Sequence, residues 1–149
     1  MLRTLVSGVA GAVALNVVHE TARRVIPRAP RMDVIGRRGV ARTAYALGVE
    51  PPHGGRLQAT ALAGDVVSNS LYYGLIGVGS DRSRATWRRG LLLGLAAGLG
   101  AVFLPPVMGL GRQPGHRGLF THLLTVAWYT IGGLTAAAAW NALPDDLDA

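Results

Sequence analysis

Four stretches of this chain, residues 2–26 (apolar to Val18, then polar), 57–79, 90–110 and 119–143, are mostly apolar over a length that water-soluble helices rarely sustain. A helix needs ~20 consecutive, mostly apolar residues to cross the hydrocarbon core of a bilayer. No water is available there to bond backbone N–H and C=O groups, so a crossing segment must satisfy them internally. The pattern predicts an all-α, polytopic membrane protein with four transmembrane helices in a bundle. A length of 149 residues fits one such domain, residues 1–149, with short connections. The first run also has the outline of a secretory leader, with Arg3, a short apolar core and a possible cleavage site at Ala12-Val13-Ala14. Helical patterning continues past that point through "NVVHETARRVIP", and the other three runs require a bilayer in any case. The run is therefore read as a span.

Composition agrees. Only 15% of residues are charged, against a typical ~25% for soluble domains. Glycine is abundant, with 21 residues, which suits close helix packing in lipid. The absence of cysteine excludes a disulfide framework, a thiolate metal site and cysteine catalysis. All 15 basic residues are arginine and the net charge is +7. Such a charge can signal nucleic acid, but no binding motif for DNA or RNA is present, and membrane proteins concentrate arginine in cytoplasmic loops. The expected partner is the bilayer, with no nucleic acid.

The first connection reads "RAPRMDVIGRRGVARTAYALGVEPPHGG". Pro27 and Pro30 end the first helix. Residues 31–48 then form an amphipathic segment, with Arg31, Arg37, Arg38 and Arg42 set against Met32, Val34, Ile35, Val40 and Leu47. It can lie among lipid headgroups or pack on the bundle as a solvated loop helix. In the third run, Gly90, Gly94 and Gly98 make two overlapping GxxxG steps, smoothed further by Ala97 and Ala101. A backbone can approach such a strip closely, which suggests a homo-oligomer or a larger membrane partner. Pro105 and Pro106 then break the helix. "SGVAGAVA" and "LGLAAGLG" share small residues at matching places, as a duplicated hairpin would, or as glycine-alanine text does by chance.

Arginine counts suggest an orientation. The first and third connections with their span ends hold ten arginines: 23, 24, 28, 31, 37, 38, 42, 56, 112 and 117. The opposite side holds five: 3, 82, 84, 88 and 89. The positive-inside rule then places loops one and three in the cytoplasm and both termini outside. The acidic tail does not weigh in that rule. The arginine-rich face is also a candidate site for anionic lipid heads.

Helical spacing sorts the polar residues into stripes. At ~100° per residue, Asp65, Ser68, Asn69 and Tyr72 share one face. Asn16, His19, Glu20 and Arg23 share another, and His122, Thr125 and Tyr129 a third. Polar faces do not point at lipid cheaply, so the three are expected to meet in one intramembrane pocket near the arginine-rich side. Carboxylates and imidazoles gathered there could relay protons or handle ions. His19, Glu20, Asp65 and His122 are also possible metal ligands, although neighbouring His19 and Glu20 diverge by ~100° on a helix, and no metal or cofactor is assigned. Against these stand structural roles. Glu20 has Arg23 and Arg24 in range of a local ion pair. Asp65 could simply register helices, and His122 could sit unused at a boundary. His53 and His116 read as solvated loop residues. "GRQPGHRG" is a turn-rich loop, and no nucleophile, phosphate-loop, haem or HExxH motif occurs, so no reaction is selected and an enzyme is not the expectation.

Three segments, "AGAVALNVVHETARRVIPRAP", "LAGDVVSNSLYY" and "GLLLGLAAGLGAVFLPPVMGLG", resemble the YagU-like family of small bacterial inner-membrane proteins. The likeness covers about half the chain, in mostly small and apolar residues. It implies a bacterial inner-membrane location, a four-helix plan and a link to acid tolerance; it implies no catalytic residue. Two functions follow as expectations: proton, ion or small-solute handling, or a non-enzymatic accessory role exerted through helix packing.

Overall fold

The computed structural model describes residues 1–79, 83–114, 118–144 and 147. Arg82, His116, Arg117 and the tail acids fall outside these. Five α-helices are described: α1 (Leu2–Val25), α2 (Met32–Ala46), α3 (Gly54–Gly74), α4 (Ser83–Val107) and α5 (Leu119–Ala142). A 3₁₀ turn at Leu75–Gly77 follows α3, and no strand occurs among the described residues.

α1 and α5 lie where the apolar runs predict them. α3 and α4 are displaced. α3 starts earlier than its run and stops at Gly74, because the last residues of the run are rich in glycine and Gly79 has φ +104°. α4 begins at Ser83, before its run, since "SRATWRR" contains nothing that stops a helix. Pro105 and Pro106 do not break α4; they form its last turn. The stop is a Schellman motif: Leu110 N–H donates to Pro105 O at 2.8 Å and Gly109 N–H to Pro106 O at 3.1 Å. Gly109 occupies the left-handed position at φ +72°, which glycine adopts without strain.

Three helices, α1, α4 and α5, are long and apolar enough to cross a membrane. α3 is not among them, because Arg56, Gln58, Asp65, Ser68, Asn69 and Ser70 dilute it. Its 21 residues are nevertheless ~30 Å long at ~1.5 Å per residue.

The four long helices run up, down, up, down. α5 packs on both α1 and α4, α3 packs on the other flank of α1, and α2 packs on α3. Large side chains point outward: Val13 and Val17 on α1, Leu62, Val67 and Leu71 on α3, Leu92, Leu99 and Phe103 on α4, and Leu123 on α5 are all exposed. The interior holds small residues such as Ala12, Ala136 and Ala137. Soluble bundles do the reverse, filling their cores with large aliphatic residues. In lipid, tight backbone approach replaces hydrophobic driving force.

Glycines set that approach. A Cβ on Gly94 would stand 2.5 Å from Thr130 Cα, and one on Gly98 2.6 Å from Val126 Cα. A Cβ on Gly90 would stand 2.5 Å from Gly133 O, and one on Gly133 would run into Gly90 O. The strip read as a face for another chain is therefore occupied by α5 of the same chain. The oligomer expected from it has no free glycine face to use, because helical spacing reveals a smooth strip but not whether its partner lies in the same molecule.

Gly133→Val forces two backbones apart and should destabilise the bundle by ~1–3 kcal/mol or more, as overpacking does. Gly39→Ala, on α2 with open space around it, should stabilise by about 0.5–1 kcal/mol through helix propensity. Thermal unfolding followed by circular dichroism should separate the two by opposite shifts in Tm.

Candidate functional site

The antiparallel pair α1–α3 is tightest near one end, where Gly8 faces the backbone of Ser70 and Gly74. Further along, polar side chains stand between the two helices. Asn16 Nδ2 donates to Asp65 Oδ2 at 2.9 Å and to Ala12 O of its own helix at 3.0 Å. Beside this pair opens a cavity of about 420 Å³, bounded by α1, α3 and the first turns of α2. Asn16, His19, Glu20 and Asp65 line it, with Met32, Asp33 and Gly36 supplied by α2. Val13, Val17 and Leu62 also line it and are themselves exposed, so the cavity opens sideways onto the apolar outer surface.

The acids differ in what they face. Glu20 is held by Arg23 and Arg24, each at 2.7 Å. This is the local ion pair their spacing predicts. Asp33 bonds Arg31 at 2.9 Å and Arg37 at 3.4 Å, with Arg23 at 3.9 Å. Burial pushes the Asp33 carboxyl up, but the Arg31 hydrogen bond and the charges of Arg31, Arg37 and Arg23 outweigh it and hold the group below its usual range. Asp65 has no cation in ion-pair range among the described residues; its hydrogen-bond partners are the neutral amides of Asn16 and Asn69.

The three polar faces meet only in part. α1 packs extensively on both α3 and α5, which touch each other around Tyr73, so Tyr129 reaches the α1–α3 groups through His19 and Tyr73 while His122 and Thr125 do not. His122 lies in a separate hollow at the ends of α4 and α5, beside Val102, Phe103, Pro106 and Arg112. Thr125 is buried and donates to Thr121 O at 2.9 Å on its own helix. Tyr129 is buried; its ring centroid is 5.7 Å from that of His19, and its carbonyl accepts the Tyr73 hydroxyl at 2.7 Å. Ser68 is exposed and bonds back to Asp65 O at 3.2 Å, while Asn69 Nδ2 donates to the same carbonyl at 2.9 Å. Tyr72 reaches α4, donating to Leu93 O at 2.9 Å. His19 touches both worlds: it lines the cavity and stacks on Trp128, with centroids 5.0 Å apart. Its Nε2 is buried without a hydrogen-bond partner among the described residues. His53 is a solvated loop residue, bonded through Nδ1 to Pro51 O at 2.7 Å.

Among the described residues, no three acidic or imidazole groups come together in range of one metal ion. His122 is the member of the suggested set that stands apart.

Several contributors carry no signal in helical spacing. Asp33 and Gly36 reach the cavity because α2 folds back onto α3. Tyr73 is fully buried at the centre, beside Gly11 and Gly132. The Gly132-Gly133 pair was the readable clue, since glycine inside a helix is unfavourable by ~1 kcal/mol each and asks for a packing reason. No family model matches the chain, and no curated protein or solved structure matches it either.

The depressed Asp33 carboxyl predicts acid sensitivity of the α2 anchor. A carboxyl held below its unfolded value, ~3.9, stabilises the fold above that pH, and the contribution disappears as pH falls through the lower folded value. Acid titration of the folded protein should therefore show weakening of α2 docking below about pH 4. Asp33→Asn should remove this step and lower stability at neutral pH, read by limited proteolysis after Arg38 and Arg42.

Proposed function

We propose that this chain is a four-span protein of the bacterial inner membrane that handles protons or small solutes through the cavity at Asp65. Three helices supply spans by composition. α3 is the fourth: its length suits the bilayer, and its outward residues Leu62, Val67 and Leu71 are apolar and exposed, while Asp65, Asn69 and Tyr72 turn inward. Its polarity is that of a helix lining a cavity. One observation carries the functional reading: a carboxylate with no cationic partner among the described residues stands on the wall of an open cavity of about 420 Å³. An acid in such a place is unfavourable as a bare ion and gains by taking up a proton or a cation, which is the property a carrier or sensor uses. The link to acid tolerance implied by the YagU-like likeness belongs to this proposal.

The arginine-rich end, with loops one and three, is placed in the cytoplasm. Arginines there attract anionic lipid heads, at ~1 kcal/mol per residue near the surface. The second reading is an accessory subunit whose polar groups only register helices. It is favoured by the pairing of Glu20 and Asp33 with arginines and by the Asn16–Asp65 hydrogen bond.

A pH jump across liposomes containing the purified protein should give proton flux above that of empty liposomes, and Asp65→Asn should abolish the excess. Equal flux from both proteins, or none from either, favours the accessory reading. Orientation is read from single cysteines at two exposed positions, Val49→Cys and Val78→Cys. A membrane-impermeant thiol reagent applied to intact cells should label position 78 and spare position 49.

A further inference from the structure

We infer that the α1–α2–α3 cavity binds an amphipathic organic cation, its apolar body in the groove and its positive centre at Asp65. This deepens the proposed function and rests on its reading of α3 as a span.

Size and lining come first. A volume of about 420 Å³ lies within the ~300–1,000 Å³ usual for small-molecule sites. Val13, Val17, Ala61, Leu62, Val66 and Met32 give the groove apolar walls. A strongly hydrated ligand gains nothing from them.

Charge comes second. The lining includes three carboxylates, Glu20, Asp33 and Asp65, and one guanidinium, Arg23. Arginines already satisfy Glu20 and Asp33. Of the three, Asp65 has no cationic partner among the described residues and lies where a partner of opposite sign is worth most. An anion would meet that charge as repulsion. A lipid tail would fill the groove and leave the carboxylate unanswered. A bare inorganic cation needs several oxygen ligands, and here the acid is accompanied by two amides, Asn16 and Asn69, that turn N–H donors toward it.

Access comes third. The exposed rim formed by Val13, Val17 and Leu62 opens toward the lipid-facing surface. A hydrophobic cation dissolved in the bilayer reaches Asp65 laterally, without crossing the arginines at the end of the bundle. His19 is the remaining titratable group on the cavity wall; its ring lies against the aromatic rings of α5, with Asp33 near enough to act on it electrostatically.

The test uses two ions of nearly the same shape and opposite charge, tetraphenylphosphonium and tetraphenylborate, titrated onto the full chain in lipid nanodiscs. Measured as the saturable excess over protein-free nanodiscs, into which both ions dissolve, the phosphonium should bind the protein and the borate should not. Asp65→Asn should weaken phosphonium binding by at least about ten-fold, as expected on removal of one partner of a desolvated charge pair. Gly36→Leu is the second variant. A Cβ at Gly36 meets only Ala61 Cβ, at 3.6 Å, so the larger side chain should enter the groove and block it with Asp65 intact. Equal binding of both ions, or undiminished phosphonium binding in either folded variant, overturns the assignment. Absence of phosphonium binding alongside Asp65-dependent proton flux overturns the ligand class alone. Absence of both overturns the reading beneath it.

Discussion

Backbone contact across α5 is the constraint on which the rest of the structure depends. Between lipid tails, burying apolar side chains gives helices little reason to associate, so packing must come from close, well-fitted contact. Gly132 and Gly133 sit side by side on α5 and serve opposite neighbours. Gly132 receives the Tyr73 ring and the backbone of α1 near Gly11, while Gly133 receives α4 at Gly90 and Gly94. A side chain at Gly133 would push the α4 backbone away, while one at Gly132 would run into the Tyr73 ring. Many leucines, valines and phenylalanines are displayed outward, while large side chains such as Leu15, Tyr73 and Trp128 are buried where the helices leave room for them.

Helix ends impose the second demand. Each α-helix finishes with carbonyls that have no partner on the same helix, and these are unfavourable where water is scarce. Arginines from other segments answer several of them. Arg3 donates to Trp140 O near the end of α5, at 3.0 and 2.7 Å, and lies 4.3 Å from the Trp140 ring centroid. Arg89 bonds Ile76 O and Val78 O just beyond α3. Arg38 and Arg42 reach across from α2 to Gly109, Leu110 and Arg112, where α4 has ended. Arg3 and Arg89 are among the five arginines that sit uneasily on the side proposed to lie outside. Their charges point at carbonyl ends of helices, a favourable place for cations. On that reading they are structural fittings, and the contrast between the two sides is sharper than a plain count of arginines makes it.

What could be read in the sequence followed from period and length. The ends of α1 and α5, the amphipathic α2 and the inward placement of Asp65 and Asn16 all come from apolar runs and the ~100° step. The errors share one origin. Helical spacing fixes which residues of a helix lie together, but not which neighbour that face will meet. His122, Thr125 and Tyr129 do share a stripe, yet only Tyr129 comes near the α1–α3 groups, while His122 lies in a separate hollow. Gly90, Gly94 and Gly98 do mark a close contact, but with α5. Ser68 shows a further blind spot, because a serine in a helix can satisfy itself on the preceding turn and then face outward. Asp33 and Gly36 were out of reach, since they enter the site only once α2 folds back on α3.

The two sides of α1 thus divide the work of the fold. Toward α5 it is close-packed, with Ala12 and Leu15 fully buried and no spare volume. Toward α3 it is tight only around Gly8, and an asparagine and an aspartate hold the remaining length apart. An amide–carboxylate pair is a poor choice if adhesion is its whole purpose, because alanine or glycine would let the two backbones close, as they do elsewhere in this chain. Asp65 and Asn16 instead keep α1 and α3 separated beside an open cavity. The carboxylate remains only partly shielded, and the cations that could have neutralised it are committed to Glu20 and Asp33. The same small-residue packing that makes α4, α5 and α1 a firm support leaves the α1–α3 seam as the place where a cavity opens beside a carboxylate.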